Sequence, residues 1–325
     1  MQLSRLICAV LLGATLLVAT ISAHAQSWPS KPIRFIIPQT PSGQVDTVGR
    51  SVMQQLSERL GQPVVVENRA GANGAIAHEG VARAAPDGHT LLMVSQSAMV
   101  MNPVMRKSLP YDPLKDFTPI SMLFETPFYL IVHPTVPVKS MQELVTLAKS
   151  QPGKLHFATA GTGNSQHLYV EILKSRSGMD LTHVPYKGSA QAGTDMLTGI
   201  VQVMLQGSGF TVPQAKAGKV RVLASSGGRR THAMPEVPTI AEAGVPGYVA
   251  STWYGLAGPA QLPRTIHDRL IQDVTEILRM PALVDKFGAQ DIILSPTTPE
   301  QLMERVRTEL PLFAKAARAA GIEPD

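Results

Sequence analysis

The feature that most constrains the fold is an alternation of short apolar runs with segments whose apolar residues recur every three or four positions. The first apolar run covers residues 33–37, and after a polar loop Val48, Val52 and Leu56 recur at spacing four. Buried runs that alternate with helices are typical of parallel β–α–β units. The pattern starts again near residue 128, after a proline-rich stretch. The sequence therefore predicts an α/β protein with two such sets of elements.

The individual elements follow from the same pattern. The apolar runs predict strands at residues 33–37, 64–67, 90–95, 128–133, 155–160, 201–205, 220–225 and 253–257. The periodic segments predict helices that end near residues 60, 84, 150, 177, 278 and 320. We place Asp46 as the N-cap of the first helix, and the spacings Ser140–Glu143 and Thr298–Gln301 predict capping boxes at two later helices.

The C-terminal tail predicts helices but few strands, so we expect it to pack back on the first sheet. The first domain would then be discontinuous, with residues 26–125 plus 250–325, and the second domain would span residues 126–249. The chain would cross between the domains twice, near Glu125 and near Ala250. Two crossings make a hinge. The predicted fold class is thus a two-domain α/β fold with a mostly parallel sheet in each domain.

Residues 1–25 have the pattern of a secretory signal peptide. An apolar run at residues 6–21 leads to Ala23-His24-Ala25, a small-residue cleavage pattern. The run is shorter than the roughly 20 residues of a membrane-spanning helix, and an uncleaved anchor is the alternative. Cleavage would leave a mature chain that begins at Gln26 and lacks cysteine, because the single cysteine is Cys8. An exported chain without cysteine needs no disulfide formation, so we expect the protein to be located in a bacterial periplasm.

Composition and motifs argue against several functional classes. The net charge is only +5, and with 5% aromatic residues and no Lys/Arg stripe we expect no nucleic-acid partner. The histidines show no metal-ligand spacing, so we expect no metal and no cofactor. The sequence contains no zinc-protease, nucleophile-elbow or Walker A motif. We predict a protein that is not an enzyme; the alternative is an exported hydrolase that uses Ser165 and His167 but lacks an evident orienting carboxylate.

One arrangement occurs twice. A hydrophobic strand, a small polar loop with glycine and a helix N-terminus follow one another at residues 33–47 and again at residues 155–167. Helix N-termini have unpaired N–H groups and a partial positive charge, and both favour carboxylate or phosphate. Ligands of open α/β sheets bind at the carboxyl ends of the strands. The two loops could therefore hold an anion between the domains, or both could be ordinary strand-to-helix turns.

Ordered sequence blocks along the mature chain resemble one known family, the Bug-type or tripartite tricarboxylate transporter periplasmic solute-binding proteins. Among these blocks are Pro63-Val-Val-Val-Glu-Asn-Arg69, Pro86-Asp-Gly88, Leu109-Pro-Tyr-Asp-Pro113, His183-Val-Pro-Tyr-Lys-Gly188 and Pro246-Gly-Tyr248. The resemblance implies a hinged periplasmic-binding-protein fold of type II, the Venus flytrap. It also implies capture of small carboxylated solutes by backbone amides and ordered water.

The resemblance implies a set of ligand-binding residues in four segments. They are Pro41, Ser42, Gly43 and Asp46 of the first loop; Thr159, Ala160, Gly161, Thr162, Asn164, Ser165 and His167 of the second; and Ser95, Gln96, Ser97, Gln206, Gly207 and Ser208, which follow two further strands. The chain departs from the usual family pattern at three of its loop positions: Gln39 replaces an aromatic residue, and Ser42 and Asn164 stand where glycine is usual.

The resemblance also implies partners. We expect a small carboxylated solute and, at the membrane, the subunits of a tripartite tricarboxylate-type transporter. A sensor kinase that uses this protein as its ligand-binding partner is the alternative. We expect the receptor itself to be a monomer.

Overall fold

The computed structural model describes residues 28–41, 44–186 and 189–324. The predicted signal peptide and its cleavage site lie outside these residues, as do Ser42 and Gly43 of the predicted first loop. Among the described residues, no helix is both long enough and apolar enough to cross a membrane.

The described strands and helices alternate along most of the chain. The strands are β1 (Ile33–Ile37), β2 (Val64–Asn68), β3 (Thr90–Ser95), β4 (Phe117–Pro127), β5 (Tyr129–Val132), β6 (His156–Thr159), β7 (Thr182–Pro185), β8 (Val203–Gln206), β9 (Arg221–Ser225), β10 (Ser251–Pro259) and β11 (Ile293–Leu294). The α-helices are α1 (Gln44–Leu60), α2 (Ala75–Ala82), α3 (Asn102–Met105), α4 (Met141–Ser150), α5 (Ser165–Ser177), α6 (Ser189–Thr198), α7 (Ser208–Lys216), α8 (Arg264–Leu278), α9 (Pro281–Gly288) and α10 (Pro299–Ala319).

Six of these strands form the first sheet, in the order β11-β4-β10-β3-β1-β2. β1 pairs in parallel with β2 and β3, whereas β10 runs antiparallel to both β3 and β4. β11 is antiparallel to β4 at the edge. Two strands from the C-terminal part of the chain therefore belong to the sheet that the N-terminal strands begin.

The other five strands form the second sheet, in the order β7-β6-β8-β5-β9. β6 is parallel to β7 and β8, and β5 is antiparallel to β8 and β9. The α/β fold class is therefore confirmed: four strands of each sheet run in one direction, and β5, β10 and β11 run against them. Both sheets are mixed because β5 and β10, which follow the crossings between the sheets, enter in the opposite direction to their neighbours.

The first sheet is buried on both faces, and this explains its continuous apolar runs. Ile33, Phe35 and Ile37 of β1 pack with apolar residues of α1 and α8 on one face. Ile36, which points the other way, belongs to the core on the opposite face, where Val306 of α10 also lies. Alternate residues of one strand thus serve two cores, as the two-residue period of a strand requires.

Two of the predicted helix starts are confirmed. The Thr298 side chain accepts a hydrogen bond from the Gln301 N–H, and the Gln301 side chain accepts from the Thr298 N–H, which completes a capping box. Ser140 caps α4 by accepting from the Glu143 N–H. The N-cap prediction for Asp46 is wrong, because α1 already begins at Gln44 and Asp46 lies in its first turn.

Candidate functional site

Both sheets present the carboxyl ends of their parallel strands to the place where the chain crosses between them. β4 ends at Pro127 and β5 begins at Tyr129, so the first crossing is very short. Ser251, the first residue of β10, pairs with Pro127. Tyr129 pairs with Gln206 on one side and Ser225 on the other. The loops that follow the parallel strands of both sheets therefore gather on the two sides of a cleft at the crossings.

A cavity of about 310 Å³ lies at the carboxyl ends of β1, β2 and β3. It is lined by neutral residues: Pro38, Gln39, Thr40, Ala70, Gly71, Asn73, Gly74, Ser95 and Ser97. Hydroxyl, amide and backbone groups are thus the polar groups that this wall offers to a ligand. We call it the first-sheet cavity.

Asp46 stabilises the first loop through hydrogen bonds on the protein side of the cavity wall. Its side chain is buried, and its two oxygens accept hydrogen bonds from Asn68 Nδ2 at 2.8 Å and from Arg50 Nε at 2.9 Å. Asn68 Nδ2 also donates to the backbone oxygen of Gln39 at 3.0 Å. The carboxylate therefore connects the first turn of α1, through Asn68 at the end of β2, to the loop that lines the first-sheet cavity.

Gln39 belongs to both the wall of the first-sheet cavity and the core beneath it. Its Nε2 donates a hydrogen bond of 2.7 Å to the hydroxyl of Tyr254, which stacks on Phe124 with 4.8 Å between ring centroids. Burial raises the pKa of Tyr254, so its hydroxyl stays protonated. The amide that stands in place of the family's usual aromatic residue is thus fixed by a buried partner.

The second loop folds around the Thr159 hydroxyl. This hydroxyl donates to the backbone oxygen of Gly161 at 2.9 Å and lies 2.7 Å from His183 Nε2. Because the Thr159 hydrogen is used on Gly161, His183 Nε2 must donate to Thr159. Gly161 and Gly163 have φ angles of +145° and +74°, which side-chain-bearing residues rarely adopt.

Two stacked histidines support this loop. The rings of His167 and His183 lie 3.7 Å apart with an interplanar angle of 17°, and His183 stacks in turn on Phe157. His167 Nδ1 accepts a hydrogen bond of 3.0 Å from the Gly163 N–H, so this nitrogen is unprotonated. Burial lowers the pKa of each histidine to about 4. Both rings are therefore neutral at neutral pH, and their function in the loop is structural.

A second cavity, of about 500 Å³, lies between the two sheets next to the first crossing. We call it the crossing cavity. It is lined by neutral residues of both units: Gln44, Thr47, Thr126, Pro127, Phe128, Gly207, Ser208, Gly209, Phe287, Gln290 and Ile292. The first turns of α1 and α7 both reach it, at Gln44 and Ser208. Ser208 Oγ also donates to the Gln290 backbone oxygen at 3.1 Å, which joins the two walls.

The predicted site residues are distributed unevenly over this cleft. Ser95 and Ser97 line the first-sheet cavity, and Gly207 and Ser208 line the crossing cavity. The predicted residues of the second loop that neither cavity includes are Thr159, Ala160, Gly161, Thr162, Asn164, Ser165 and His167. Pro41 and Gln206 also lie outside both linings. The assignment of all these residues to ligand contact stays a prediction.

Two further predicted residues, Gln96 and Asn164, also have side chains that bond to the protein itself. Gln96 Nε2 donates to Tyr169 Oη and to Glu309 Oε2, away from the cavity that Ser95 and Ser97 line. Asn164 caps α5, since its Oδ1 accepts from the His167 N–H at 2.8 Å, while its Nδ2 is buried without a partner among the described residues. The Asn164 side-chain NH₂ group can therefore donate a hydrogen bond to a ligand or a water molecule.

Sequence reasoning missed three supports of the site: Asn68, His183 and Tyr254. Each acts through a partner that is distant in the chain, so periodicity and spacing carry no signal for it. Gln96 directly follows β3 and has helical dihedral angles, and its side chain bonds to Tyr169 and Glu309, two partners that are also distant in the chain.

The described residues offer little for catalysis or metal binding. No group of three or more metal-ligating side chains occurs among them. Ser165 Oγ donates to Gln166 Oε1, and no hydrogen bond joins Ser165 to His167 in the part of the chain that the structure describes. His167 Nε2 is 3.9 Å from Glu171, too far for a hydrogen bond. The geometry therefore favours a binding site over a nucleophile–base pair.

Two mixed sheets with helices, joined by a double crossing and with a neutral polar cavity between them, define a two-domain receptor of the periplasmic-binding-protein class. The chain belongs to the tripartite tricarboxylate transporter family receptors, whose family model matches residues 48–310. The resemblance to the Bug and tricarboxylate receptors stated from the sequence is thereby confirmed.

Three relatives illustrate the match. The chain is 34% identical to Protein BugT of Bordetella pertussis over 324 residues, which is 99% of either chain. A solved structure of an R. palustris protein with adipate is 32% identical, with a TM-score of 0.74 and coverage of 92% of this chain and 100% of that one. MatC of Rhodopseudomonas palustris with bound malate is 29% identical, with a TM-score of 0.69 and coverage of 89% and 99%.

Proposed function

We propose that this protein is a periplasmic receptor that captures a small carboxylated organic anion between its two α/β units. The observation that carries the proposal is the pair of neutral, hydrogen-bonding cavities at the carboxyl ends of the strands of both sheets. Two structurally similar relatives, solved with adipate and with malate, support the carboxylate class.

The charge of such an anion would be met by dipoles. Among the residues that the structure describes, neither cavity has a charged side chain in its lining. Helix N-termini carry a partial positive charge, and those of α1 and α7 reach the crossing cavity. Hydroxyls of Thr40, Ser95 and Ser97 can donate to an oxygen in the first-sheet cavity. A carboxylate would thus be held by several N–H and O–H groups and by no ion pair.

We further propose that the two units are domains of residues 26–125 plus 250–325 and residues 126–249, which close on the ligand. The short crossing at 127–129 and the return at 226–250 support this division, since among the described residues the chain passes from one sheet to the other at these two places. We also propose export by cleavage before Gln26. The membrane partner would be a tripartite tricarboxylate-type transporter, or a sensor kinase as the alternative.

The test is native mass spectrometry of the mature protein purified from periplasm, followed by a thermal-shift screen of carboxylates that includes adipate and malate. We expect a co-purified carboxylate, or stabilisation by at least one member of the screen. Saturation at 100 times the dissociation constant stabilises a protein by about 2.7 kcal/mol. A protein that carries no small molecule and responds to no carboxylate would contradict the proposal. Turnover of a screened compound would support the hydrolase instead.

A further inference from the structure

A network of hydrogen-bonded polar side chains lies next to the two crossings and includes residues of both units. We call it the crossing network and define it by its seven members: Gln96, Glu125, Tyr169, Ser251, Trp253, Arg305 and Glu309. None of its side chains lines either cleft cavity. The roles proposed above for ligand binding therefore do not explain it.

The first-sheet part of the network is centred on Arg305 of α10. Its Nη1 donates to Glu125 Oε2 at 2.9 Å, its Nη2 to Ser251 Oγ at 2.8 Å and its Nε to Glu309 Oε1 at 2.9 Å. Ser251 Oγ donates in turn to Glu125 Oε2 at 2.7 Å. Glu125 lies near the end of β4 and Ser251 begins β10, so one guanidinium holds together the two strands at which the chain crosses.

Gln96 and Tyr169 extend the network to the second unit. Gln96 Nε2 donates to Tyr169 Oη at 2.6 Å and to Glu309 Oε2 at 2.9 Å. Tyr169 Oη donates to the backbone oxygen of Ser251 at 2.9 Å. Trp253 Nε1 also donates to Glu309 Oε2, at 2.8 Å. One tyrosine hydroxyl thus joins a helix of the second unit to a strand and a loop of the first.

The two linked residues lie directly beside the binding loops. Gln96 stands between Ser95 and Ser97, which line the first-sheet cavity. Tyr169 lies in α5, whose N-terminus at Asn164 ends the second loop. A change in the separation of Gln96 and Tyr169 therefore changes the separation of the two loops.

We propose that Gln96 and Tyr169 are positioning residues that fix the pivot between the two units and so set the separation of the two binding loops. The proposal rests on the proposed function for its biological meaning, because a set separation matters only if a ligand binds between the loops. The effect of the two residues on the distance between the units can be measured in the unliganded protein.

The position of the hydroxyl supports a pivot. The Tyr169 ring is buried, with its centroid 4.9 Å from Phe313 of α10 and 6.1 Å from Phe128 at the first crossing. The aromatic contacts fix the ring, and Tyr169→Phe would keep them while it removes one donor and one acceptor. Relative rotation of two units moves atoms least near the crossings, so a bond made there can persist as the cleft opens and closes.

The test measures the spread of inter-unit distances with spin labels. The mature chain has no cysteine, and Ile76 and Ile200 are 54% and 63% exposed, on the first and second units. Labels at Ile76→Cys and Ile200→Cys report the inter-unit distance by double electron–electron resonance. We expect Tyr169→Phe to broaden or shift the distance distribution of the unliganded protein relative to the labelled parent.

Tyr248→Phe is the matched control. Tyr248 is also buried, and its hydroxyl donates to the backbone oxygen of Tyr169 at 2.9 Å, a bond within the second unit. Both variants lose one buried tyrosine hydroxyl, so both should unfold at a similarly lowered urea concentration. We expect the distance distribution of Tyr248→Phe to match that of the parent.

Gln96→Met supplies an independent variant. It should broaden the distribution as Tyr169→Phe does, and the double variant should be no broader than either single one, because both remove the same link. The proposal is overturned if Tyr169→Phe leaves the distribution unchanged, or if both tyrosine variants broaden it equally. Since these measurements use no carboxylate, their failure is separate from a failure of the carboxylate screen.

Discussion

Asp46→Asn tests whether a buried carboxylate shapes the first binding loop. The aspartate accepts from Asn68 Nδ2 and Arg50 Nε, at 2.8 and 2.9 Å, and asparagine has the same shape but no charge. Asparagine also replaces one acceptor oxygen with an NH₂ group. That group would face a donor, whichever way the amide is turned.

The magnitude is worked from the exposure of the Asp46 and Arg50 side chains. A hydrogen bond to a charged group contributes about 1.5–3 kcal/mol, whereas an exposed ion pair contributes about 0–1 kcal/mol. The Arg50 side chain is 47% exposed and that of Asp46 is 6% exposed, so the bond to Asn68 should dominate. We expect Asp46→Asn to lower the free energy of unfolding by about 1–3 kcal/mol, and the melting temperature by about 2–4 °C for each kcal/mol.

Urea unfolding of the mature protein, followed by far-UV circular dichroism, measures this loss. Arg50→Gln is the control: it removes the exposed ion pair and the exposed bond from Arg50 Nη2 to Asn68 Oδ1 but keeps the bond from Asn68 to Asp46, and it should cost about 1 kcal/mol or less. If Arg50→Gln destabilised the protein as much as Asp46→Asn, the exposed ion pair rather than the buried bond to Asn68 would hold the loop. A fully stable Asp46→Asn would refute the argument altogether.

Two further predictions concern the second loop. Burial lowers the pKa of His167 and that of His183 from 6.5 to about 4. Between pH 6.5 and pH 4 both histidines are therefore protonated in the unfolded chain but remain neutral in the folded protein. Stability should therefore fall as the pH falls through this window, by up to about 1.4 kcal/mol per pH unit for each histidine, and urea midpoints that stay constant from pH 7 to pH 4.5 would contradict the paired neutral rings. Separately, Gly161→Val should weaken binding of a carboxylate found by the screen more than Thr162→Ala does. Valine at a φ of +145° costs about 1–3 kcal/mol of strain, whereas loss of one neutral hydrogen bond costs about 0.5–1.5 kcal/mol; equal affinities by calorimetry would argue against recognition by the loop backbone.

The elements that could be predicted from the sequence are those whose own residues carry the signal. β1 and β3 are mostly apolar because most of their residues on both faces are buried, and α10 starts with a complete capping box. β4 was missed because Pro119 and Glu125 interrupt its apolar pattern. Glu125 is tolerated there because Arg305, 180 residues away, pairs with it at 2.9 Å.

The same limit applies to the candidate site. The loops at the carboxyl ends of the strands could be placed from the alternation of strands and helices, since parallel strands end at one edge. The supports of those loops could not, because each is a bond between residues far apart in the chain, as with Gln39 and Tyr254. Even the mixed direction of the sheets depends on where β5 and β10 insert, which propensity does not determine.

Among the described residues, the linings of the first-sheet cavity and the crossing cavity contain no charged side chain. A lysine or arginine in the lining would need a partner or water in the empty cleft, and it would lose that solvation as the cleft closes. Neutral N–H and O–H groups avoid this cost, and each still gains a charge-assisted bond when a carboxylate arrives. His167 must likewise be uncharged, because a protonated His167 could not accept the hydrogen bond from the Gly163 N–H that shapes the second loop. Burial, which lowers the pKa of His167, therefore keeps the ring in the neutral form that accepts this bond and so preserves the shape of the second loop.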